Sequence, residues 1–543
     1  MFEITVVGRS LAIALLSCFL GIETAVAVAT DEIELQVGII QRLGAKPIND
    51  KEPAIEEVTI SSTSGDSLTV SFPETKKVIQ TQKIVLDIEP QPLSKPQLSE
   101  RLVLSDRATF ETAEAVANSW KKLGIEVEIL QPGRWQVWAK RDVYSTPLVR
   151  RWLLHSLQAN GYEEAYLSSE MLTHQPQATL TIAGKKYQQD EVEITSQKNL
   201  IKVKINDGDD TPSLYGGSLE LQPNAFGEYT LVNHVPLETY LRGVVPYEIG
   251  ASAPPQAVAA QTIIARTYAL RNLRRFAADD YQLCATVHCQ VYKGLSGTNP
   301  TSDRAIEASR GLVLTYQNEL VDALYSSTTG GVTASFDDAW QGADRPYLQA
   351  IIDSTQQVWN LSEHPLDDET NLRRFLSLKQ GFNETGRSVF RWHKTSKIKD
   401  LDRDLRRYLN KTHHPLANFT TIEWMQVQKR SPSGRILTLT IQTDKGKIQL
   451  HKNDVRSAFE APISTLFYLE PVYDEDKRLK AYNFIGGGFG HGVGLSQYGS
   501  YNLANLGWTA AQILSFYYPQ TTIQPLNDSI VFWRDEVRLS SNR

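Results

Sequence analysis

The segment that most restricts the fold of this chain runs from Gly486 to Gly494, where six of nine residues are glycine. Such a density of glycine disfavours a regular helix or strand, because glycine loses more conformational entropy on folding than any other residue. It favours a loop whose backbone adopts positive φ angles and closely approaches a ligand or another segment. We therefore expect His491 and Gln497, in and just after this loop, to lie near a bound molecule, although a tight packing turn would use the same glycines.

A second segment, residues 1–29, has the pattern of a secretory signal peptide. Arg9 precedes the apolar run Leu11 to Ile22, and small residues follow at 25–29. The run is short for a membrane span, which needs about twenty apolar residues. The apolar residues before Arg9 leave an uncleaved anchor as an alternative, and the residues around Cys18 show a weaker match to a lipoprotein box. No later stretch has the length and apolar character of a span, so we expect export to the periplasm or cell envelope.

Cys284 and Cys289 are the two cysteines that would remain after the signal is removed. In an exported protein a local disulfide between them is the expected state. Together with His288 they could instead supply three zinc ligands, but the spacing is not a standard one and no fourth ligand is evident. The sequence favours the disulfide, and it predicts neither a metal nor a cofactor.

Length and composition indicate a globular protein of several domains. A chain of 543 residues exceeds the size of one ordinary core and suggests roughly three or four domain-sized units. Its contents of 41% hydrophobic and 22% charged residues are typical of folded proteins. The formal net charge of −6 provides no basic surface, which argues against nucleic acid binding.

The residue patterns predict a mixed α+β fold made of several domains. Residues 31–93 alternate as β-strands do, and residues 89–97, with three prolines, are expected to form a linker. The chain is again mixed from 178 to 523. Within that part, residues 354–420 are polar and charged, and we interpret some of them as a helical insertion at the surface.

Residues 100–175 form the pattern of a small inserted α+β module. A helix is predicted from Phe110 to Leu123, followed by strands at 125–130 and 135–139 and a second helix at 148–159. This order resembles a SPOR-like repeat, a module that in other envelope proteins binds glycan stripped of peptides. A small packing module without a ligand would show the same pattern.

A helix that follows the pair Pro254-Pro255 carries the first group of candidate site residues, since proline suits the first turn of a helix. Gln261 and Tyr268 are seven residues apart and share one face, and Arg266 lies between them. Glu248 lies a few residues before the helix begins, where positive partial charge and backbone donors accumulate. A lone glutamate at such a position is more often a solvated residue than a catalytic one.

A strand that ends in a hydroxyl-rich loop, residues 323–331, supplies the second group. Ser326 stands near the strand end, and Gly330 and Gly331 close the segment. Such a loop brings backbone N–H groups and hydroxyls close to a ligand.

In order and spacing, these blocks resemble the signature of the SpoIID/LytB family (stage II sporulation protein D and the amidase enhancer). The matching motifs are Leu237-Glu-Thr-Tyr-Leu-Arg-Gly-Val-Val245, Glu248, Ala260-Gln261, Ala265-Arg-Thr-Tyr268, Ser326 to Gly331, and Gly490-His-Gly-Val-Gly-Leu-Ser-Gln-Tyr-Gly499. The resemblance covers residues 178–523, and the strands at 33–88 look like the opening portion of the same domain.

The resemblance implies a lytic transglycosylase that cleaves peptidoglycan glycan strands lacking stem peptides and forms 1,6-anhydro-N-acetylmuramic acid. It assigns catalysis to Glu248. The residues expected to bind substrate are Gln261, Arg266, Tyr268, Ser326, Gly330, Gly331, His491 and Gln497. The alternatives are a non-catalytic glycan-binding enhancer of an N-acetylmuramoyl-L-alanine amidase, which would then be a partner, and an envelope scaffold whose loops are purely structural.

Overall fold

The computed structural model of the chain describes residues 33–45, 55, 57–205 and 211–534. The predicted signal peptide, residues 1–29, lies outside the described residues. Within the described part, none of the helices combines the length and apolar character needed to cross a membrane.

The fold is a mixed α+β arrangement, as predicted, and its elements follow one another in three groups. The N-terminal strands and the inserted module comprise β1 (Glu34–Leu43), β2 (Glu57–Ser62), β3 (Leu68–Phe72), β4 (Lys77–Thr81), β5 (Lys83–Arg107), α1 (Phe110–Lys122), β6 (Val127–Leu130), β7 (Trp135–Ala139), α2 (Pro147–Ala159) and β8 (Tyr166–Ile182). The middle group comprises β9 (Lys185–Gln188), β10 (Val192–Ser196), β11 (Leu200–Ile205), β12 (Ser213–Gly216), β13 (Ser218–Pro223), β14 (Tyr229–Pro236), α3 (Leu237–Ile249), α4 (Pro255–Arg271), β15 (Leu283–Cys284), α5 (Pro300–Ala308), β16 (Leu312–Tyr316), β17 (Glu319–Leu320) and β18 (Tyr325–Ser326). The C-terminal group comprises α6 (Phe336–Ala339), α7 (Glu369–Ser377), β19 (Arg391–Lys397), α8 (Ile398–Lys411), β20 (Ile422–Arg430), β21 (Ile436–Thr443), β22 (Gly446–His451), α9 (Asp454–Ala458), β23 (Phe467–Tyr473), β24 (Leu479–Gly487), β25 (Leu495–Ser496), α10 (Gln497–Asn505), α11 (Ala510–Tyr517) and β26 (Thr522–Pro525).

The N-terminal strands belong to the same core as the strands that precede α3. One sheet has the order β15-β1-β14-β13-β10-β3-β4, and a second runs β12-β11-β2-β5-β7-β6, with β8 pairing with β5 and β9. Apolar residues of β1 alternate toward the interior, where Leu35 and Val37 pack with Leu237 and Leu241 of α3. The strands at 33–88 therefore open the domain that continues after β8, as the sequence indicated.

The predicted linker at 89–97 is wrong, because β5 continues through it as one long strand. Pro90 and Pro92 lie opposite Pro176 and His174 of β8, and the register shifts only between Pro92 and Gln97. Proline lacks a backbone N–H and cannot donate to a neighbouring strand. Along this stretch β5 pairs with β8 alone, so the edge of β5 that faces away from β8 needs no N–H donors. A two-stranded ribbon thus joins the module to the main core.

The module has β-α-β-β-α-β order with the antiparallel strand arrangement β8-β5-β7-β6, a split βαβ topology. Its two helices and the strands β6 and β7 lie within residues 100–175, where a small α+β module was predicted. The module also contacts the segment that follows α4. Trp135 of the module contacts Phe276, with ring centroids 5.1 Å apart, and Glu114 of the module forms an ion pair with Arg274.

α4 runs through the centre of the molecule and is buried on nearly every side. Its small side chains, including Ala257 and Ala260, are buried, and the opposite face of the helix is buried as well. The small residues allow α3, α5, α10 and α11 to pack closely around it.

Residues 354–420 contain α7 and α8, so the predicted helical insertion is present. Its position is only partly at the surface, because α8 buries Leu401, Leu405 and Leu409 against Ile436 and Leu439 of β21. This unit continues through β24, which leads directly into the glycine-rich loop.

Candidate active site

Glu248 lies in the last turn of α3 and lines a cavity of about 530 Å³. The sequence placed Glu248 before α4, and the structure adds that it also ends a helix of its own. Gly250 stops that helix with a φ of 84°, and a Cβ there would lie 3.4 Å from the Tyr501 hydroxyl. The chain then turns to start α4 at Pro255.

The Glu248 carboxyl group has two hydrogen-bond partners and no ion-pair partner among the described residues. The backbone N–H of Val291 donates to Oε1 at 2.6 Å, and the Tyr325 hydroxyl also bonds the carboxyl group. Burial raises the pKa of Glu248, whereas the two hydrogen bonds oppose that rise because they favour the charged form. The group is thus suited to hold a proton and to release it.

Two side chains of α10 hold the backbone beside Glu248. Gln497 Nε2 donates to the Glu248 carbonyl oxygen at 2.8 Å, and the Tyr501 hydroxyl donates to the carbonyl of Ile249. Gln497 also lines the cavity, as predicted for a site residue. Its amide nitrogen positions the end of α3.

Tyr325 connects Glu248 to a buried polar chain. Gln290 Nε2 donates to Tyr325 Oη at 3.3 Å, and the Tyr240 hydroxyl donates to Gln290 Oε1 at 3.3 Å. Burial raises the pKa of Tyr325 well above the ordinary range, so its hydroxyl remains a donor. These partners fix the direction from which Tyr325 reaches the carboxyl group.

Ser326 stands beside Tyr325 on β18 and lines the cavity. Its hydroxyl is buried and has no hydrogen-bond partner among the described residues. A Cβ at Gly490 would lie only 2.8 Å from the Ser326 Cβ, and Gly490 has a φ of 112°. Glycine at 490 therefore lets the loop close over the serine.

The predicted Gly-Gly loop packs backbone to backbone against the glycine-rich loop. A Cβ at Gly330 would lie 2.6 Å from the Gly487 carbonyl carbon, and one at Gly488 would lie 2.8 Å from that of Thr329. Gly330, Gly331 and Gly488 have φ angles between 77° and 86°. The positive φ angles predicted for the glycine-rich loop are confirmed, and close contact between the two loops explains them.

Gly330 and Gly331 do not line the cavity, contrary to the prediction that they bind substrate. Their N–H groups donate to Glu384 Oε2 at 2.8 and 3.1 Å. Glu384 Oε1 accepts from the hydroxyls of Thr329 and Ser496 at 2.9 and 2.6 Å, and from the Thr329 N–H. One buried carboxylate thus ties both loops together beneath the cavity.

Asp353 lies beside this carboxylate. Its Oδ1 accepts from Asn383 Nδ2 and from the Tyr517 hydroxyl, both at 2.8 Å. Burial, together with the negative charge of Glu384, raises the pKa of Asp353 well above its ordinary value. The neutral, protonated form of Asp353 is therefore favoured in this buried position.

His491 lines the cavity, and its ring nitrogens are hydrogen-bonded within the protein. The Val493 N–H donates to Nδ1 at 3.0 Å, and the ring also hydrogen-bonds the backbone of Tyr325. Burial, with the nearby charges of Arg456 and Arg435, lowers the pKa of His491 to about 3. The neutral ring therefore joins the glycine-rich loop to β18 and holds Tyr325 in place.

The candidates on α4 separate into one that reaches the cavity and two that do not. Tyr268 lines the cavity. Gln261 is fully buried away from it, and neither side-chain atom of its amide has a hydrogen-bond partner among the described residues. Arg266 is also fully buried and forms a bidentate ion pair with Glu238 at 2.8 and 2.9 Å. Its role as a substrate-binding residue is not supported, because the guanidinium is occupied by a carboxylate of α3.

The cavity residues that sequence reasoning missed include Tyr325, Trp340, Phe489 and Arg456. Tyr325 and Phe489 adjoin predicted motifs, and their position beside Ser326 and within the glycine-rich loop was a usable signal. Trp340 and Arg456 lie in no motif that was recognised.

Cys284 and Cys289 form a disulfide, with Cα atoms 5.6 Å apart. The disulfide interpretation is therefore confirmed, and neither sulfur is free to bind zinc. Cys289 and the adjacent Val291 line the cavity, so the crosslink lies next to the donor that contacts Glu248.

Comparison with known proteins gives matches over this same part of the chain. Residues 225–316 match the family model for stage II sporulation protein (SpoIID), and residues 334–494 match a domain of unknown function, DUF8618. The amidase enhancer of Bacillus subtilis (strain 168) is 30% identical over 307 residues, which are 52% of this chain but only 40% of that protein. Stage II sporulation protein D of Bacillus amyloliquefaciens is 25% identical over 327 residues, 55% of this chain and 79% of that protein.

The SpoIID match contains Glu248 and all of α4, and the relatives carry the two names that the sequence motifs indicated. Residues 225–316 therefore match the SpoIID family, and this part of the chain is similar to stage II sporulation protein D and the amidase enhancer.

Proposed function

We propose that this protein is a lytic transglycosylase that cleaves peptidoglycan glycan strands, with Glu248 as both acid and base. The observation that carries the proposal is the carboxyl content of the cavity. Among the described residues that line it, the carboxyl groups are those of Glu248 and Glu111, and Glu111 forms an ion pair with Arg275. One carboxyl group is thus available for chemistry.

A single carboxyl group suits this reaction better than it suits ordinary hydrolysis. Glycoside hydrolases use two carboxyl groups, an acid and either a base or a nucleophile. In a lytic transglycosylase the nucleophile is the 6-hydroxyl of the substrate's own N-acetylmuramic acid. Attack of that oxygen on C1 forms the anhydro ring while the bond from C1 to the leaving glycosidic oxygen breaks, and no water is consumed.

Glu248 has the environment that both proton transfers require. Its raised pKa keeps a proton available for the leaving oxygen. Once ionised, the carboxylate is stabilised by Val291 N–H and the Tyr325 hydroxyl, and it can accept the proton released by the 6-hydroxyl. The net proton count on Glu248 is then restored.

The remaining cavity wall suits a sugar. Phe489 lines the cavity and is 45% exposed, so its aromatic face is available for stacking on a pyranose ring. The cavity shares Thr109 and Asn453 with a neighbouring groove of about 560 Å³, which offers space for further saccharides of a strand.

The inserted module is proposed to add affinity for glycan, as its SPOR-like sequence pattern suggests. Its helix α2 carries Trp152, whose exposed fraction is 66%, and Leu148, at 55%. A Trp152→Ala variant should bind glycan strands more weakly and melt at the wild-type temperature. Unchanged binding would count against a glycan role for this helix.

We further propose that the protein acts outside the cytoplasm. The substrate is located there, and the Cys284–Cys289 disulfide is expected to form and persist in an oxidising compartment. The signal-peptide pattern of the first 29 residues agrees with this location.

The direct test is incubation of the purified protein with glycan strands from which an amidase has removed the stem peptides. Mass spectrometry should detect fragments ending in 1,6-anhydro-N-acetylmuramic acid. Fragments with reducing ends, 18 Da heavier, would indicate hydrolysis and a second catalytic group.

The likeness to an amidase enhancer supports a second function, recruitment or stimulation of an N-acetylmuramoyl-L-alanine amidase by a non-catalytic glycan-binding protein. The two functions respond differently to Glu248→Gln. An enhancer would stimulate amidase equally well with this substitution, and the native protein would yield no anhydro products.

A further inference from the structure

Arg456 is a cation of the Glu248 cavity for which the described residues supply no counterion. It lies in α9 and lines the cavity. Its Nε is buried without a hydrogen-bond partner, and no carboxylate of the described residues forms an ion pair with it. Arg275, which lines the same cavity, is by contrast paired with Glu111.

The surroundings of Arg456 add positive charge to the cavity rather than neutralising it. Burial lowers the pKa of Arg456, and no acidic neighbour counteracts that effect. His491 is neutral there, and the nearby charges of Arg456 and Arg435 contribute to its lowered pKa. With Glu248 protonated for its role as acid and Glu111 paired with Arg275, the guanidinium of Arg456 is the charge that remains unbalanced. A buried unpaired charge is costly, and an anionic ligand would remove that cost.

We propose that Arg456 binds the free carboxylate of the 3-O-lactyl group of N-acetylmuramic acid and thereby selects strands without stem peptides. This inference rests on the proposed function. The lactyl carboxylate is free only after the peptide has been removed, whereas in peptide-linked strands the same carbon is a neutral amide. A guanidinium pairs with a carboxylate through parallel N–H···O bonds and has no equivalent partner in an amide.

The proposal also gives a role to the unit matched as a domain of unknown function. Arg456 belongs to residues 334–494, while Glu248 belongs to the part matched as SpoIID. Residues 334–494 would then supply the specificity for the ligand, and the SpoIID part would supply the acid.

The test measures binding in a Glu248→Gln background, so that catalysis does not alter the ligand. The ligands are denuded glycan oligomers and the same oligomers with their lactyl carboxyls converted to methylamides. Methylamidation should weaken binding to the Glu248→Gln protein by about 10- to 100-fold, the range for a hydrogen-bonded charged group. Adding Arg456→Gln should weaken binding of the free acid by a similar factor and abolish the preference between the two ligands.

Two further variants make the result specific. Arg456→Lys keeps the charge without the fork of donors, and it should retain part of the preference. Arg478→Gln removes a guanidinium whose side chain is 78% exposed, and it should leave the preference intact. Melting temperatures of all variants show whether the fold is retained.

Two outcomes would overturn the proposal: equal binding of both ligands by the Glu248→Gln parent, or a full preference for the free acid in the Arg456→Gln variant. Failure of the proposed function is distinct from either. If the native protein forms no anhydro product but the preference depends on Arg456, the carboxylate site stands and the lytic activity does not.

Discussion

Replacing Glu384 with glutamine tests whether one carboxylate holds the two cavity loops together. Oε1 accepts the N–H and hydroxyl of Thr329 and the hydroxyl of Ser496, and Oε2 accepts the N–H groups of Gly330 and Gly331. A glutamine amide can replace only one of these oxygens as an acceptor. Whichever way the amide turns, its NH₂ group faces at least two donors.

The hydroxyls of Thr329 and Ser496 can turn and accept from the amide, but one or two backbone N–H groups remain without an acceptor. Each such buried donor costs about 1–3 kcal/mol, so the substitution should lower the free energy of unfolding by about 1–6 kcal/mol. Calorimetry should then show a melting temperature lower by about 1–5 °C, since the entropy of unfolding grows with the 543-residue length of the chain. Glu423→Gln on β20 is the matched control, because Glu423 is exposed and its substitution should change stability by no more than about 0.5 kcal/mol. Equal melting of Glu384→Gln and the wild type would refute the proposed role of this carboxylate.

Three further predictions concern titration and crosslinking. Burial raises the pKa of Asp353, so its contribution to stability is complete below the unfolded pKa near 3.8 and is lost as pH rises through the folded pKa. Asparagine at 353 stays neutral, so the unfolding free energy of Asp353→Asn, measured by urea titration, should rise relative to that of the wild type from pH 4 to pH 8. A difference in unfolding free energy that does not change with pH would contradict this. Tyr325→Phe removes a hydrogen bond that favours ionised Glu248, so the alkaline limb of the kcat/KM profile should move to higher pH rather than lower. Replacing Cys284 and Cys289 by serine should lower the unfolding free energy by about 2 kcal/mol, measured by chemical denaturation, and no loss would count against a closed crosslink in the folded protein.

The elements that local patterns determine were the ones that the sequence predicted well. The helix predicted at Phe110 to Leu123 is α1, and the one predicted at 148–159 is α2, because apolar periodicity and stop residues act within a few residues. The same holds for the glycine-rich loop. Its density of glycine indicated positive φ without reference to any partner.

Features that depend on distant residues could not be read in this way. Proline usually ends a strand, and only the presence of β8 as the single neighbour explains why β5 passes through Pro90 and Pro92. Arg266 lies in a motif that indicated a site residue. Its partner Glu238 is 28 positions away in the sequence, and the two are buried together. Arg456 belongs to no motif, and it reaches the cavity only through the fold of residues 334–494.

The central claim, that Glu248 supplies the acid and base for cleavage, is tested most directly by the rate of anhydro-product formation in Glu248→Gln. The substitution keeps the shape of the side chain but removes the transferable proton, so the rate should fall by about 10²-fold or more. Affinity for denuded glycan should stay near the wild-type value, and Glu423→Gln should retain full activity. A Glu248→Gln protein that forms anhydro-N-acetylmuramic acid at the wild-type rate would contradict the account.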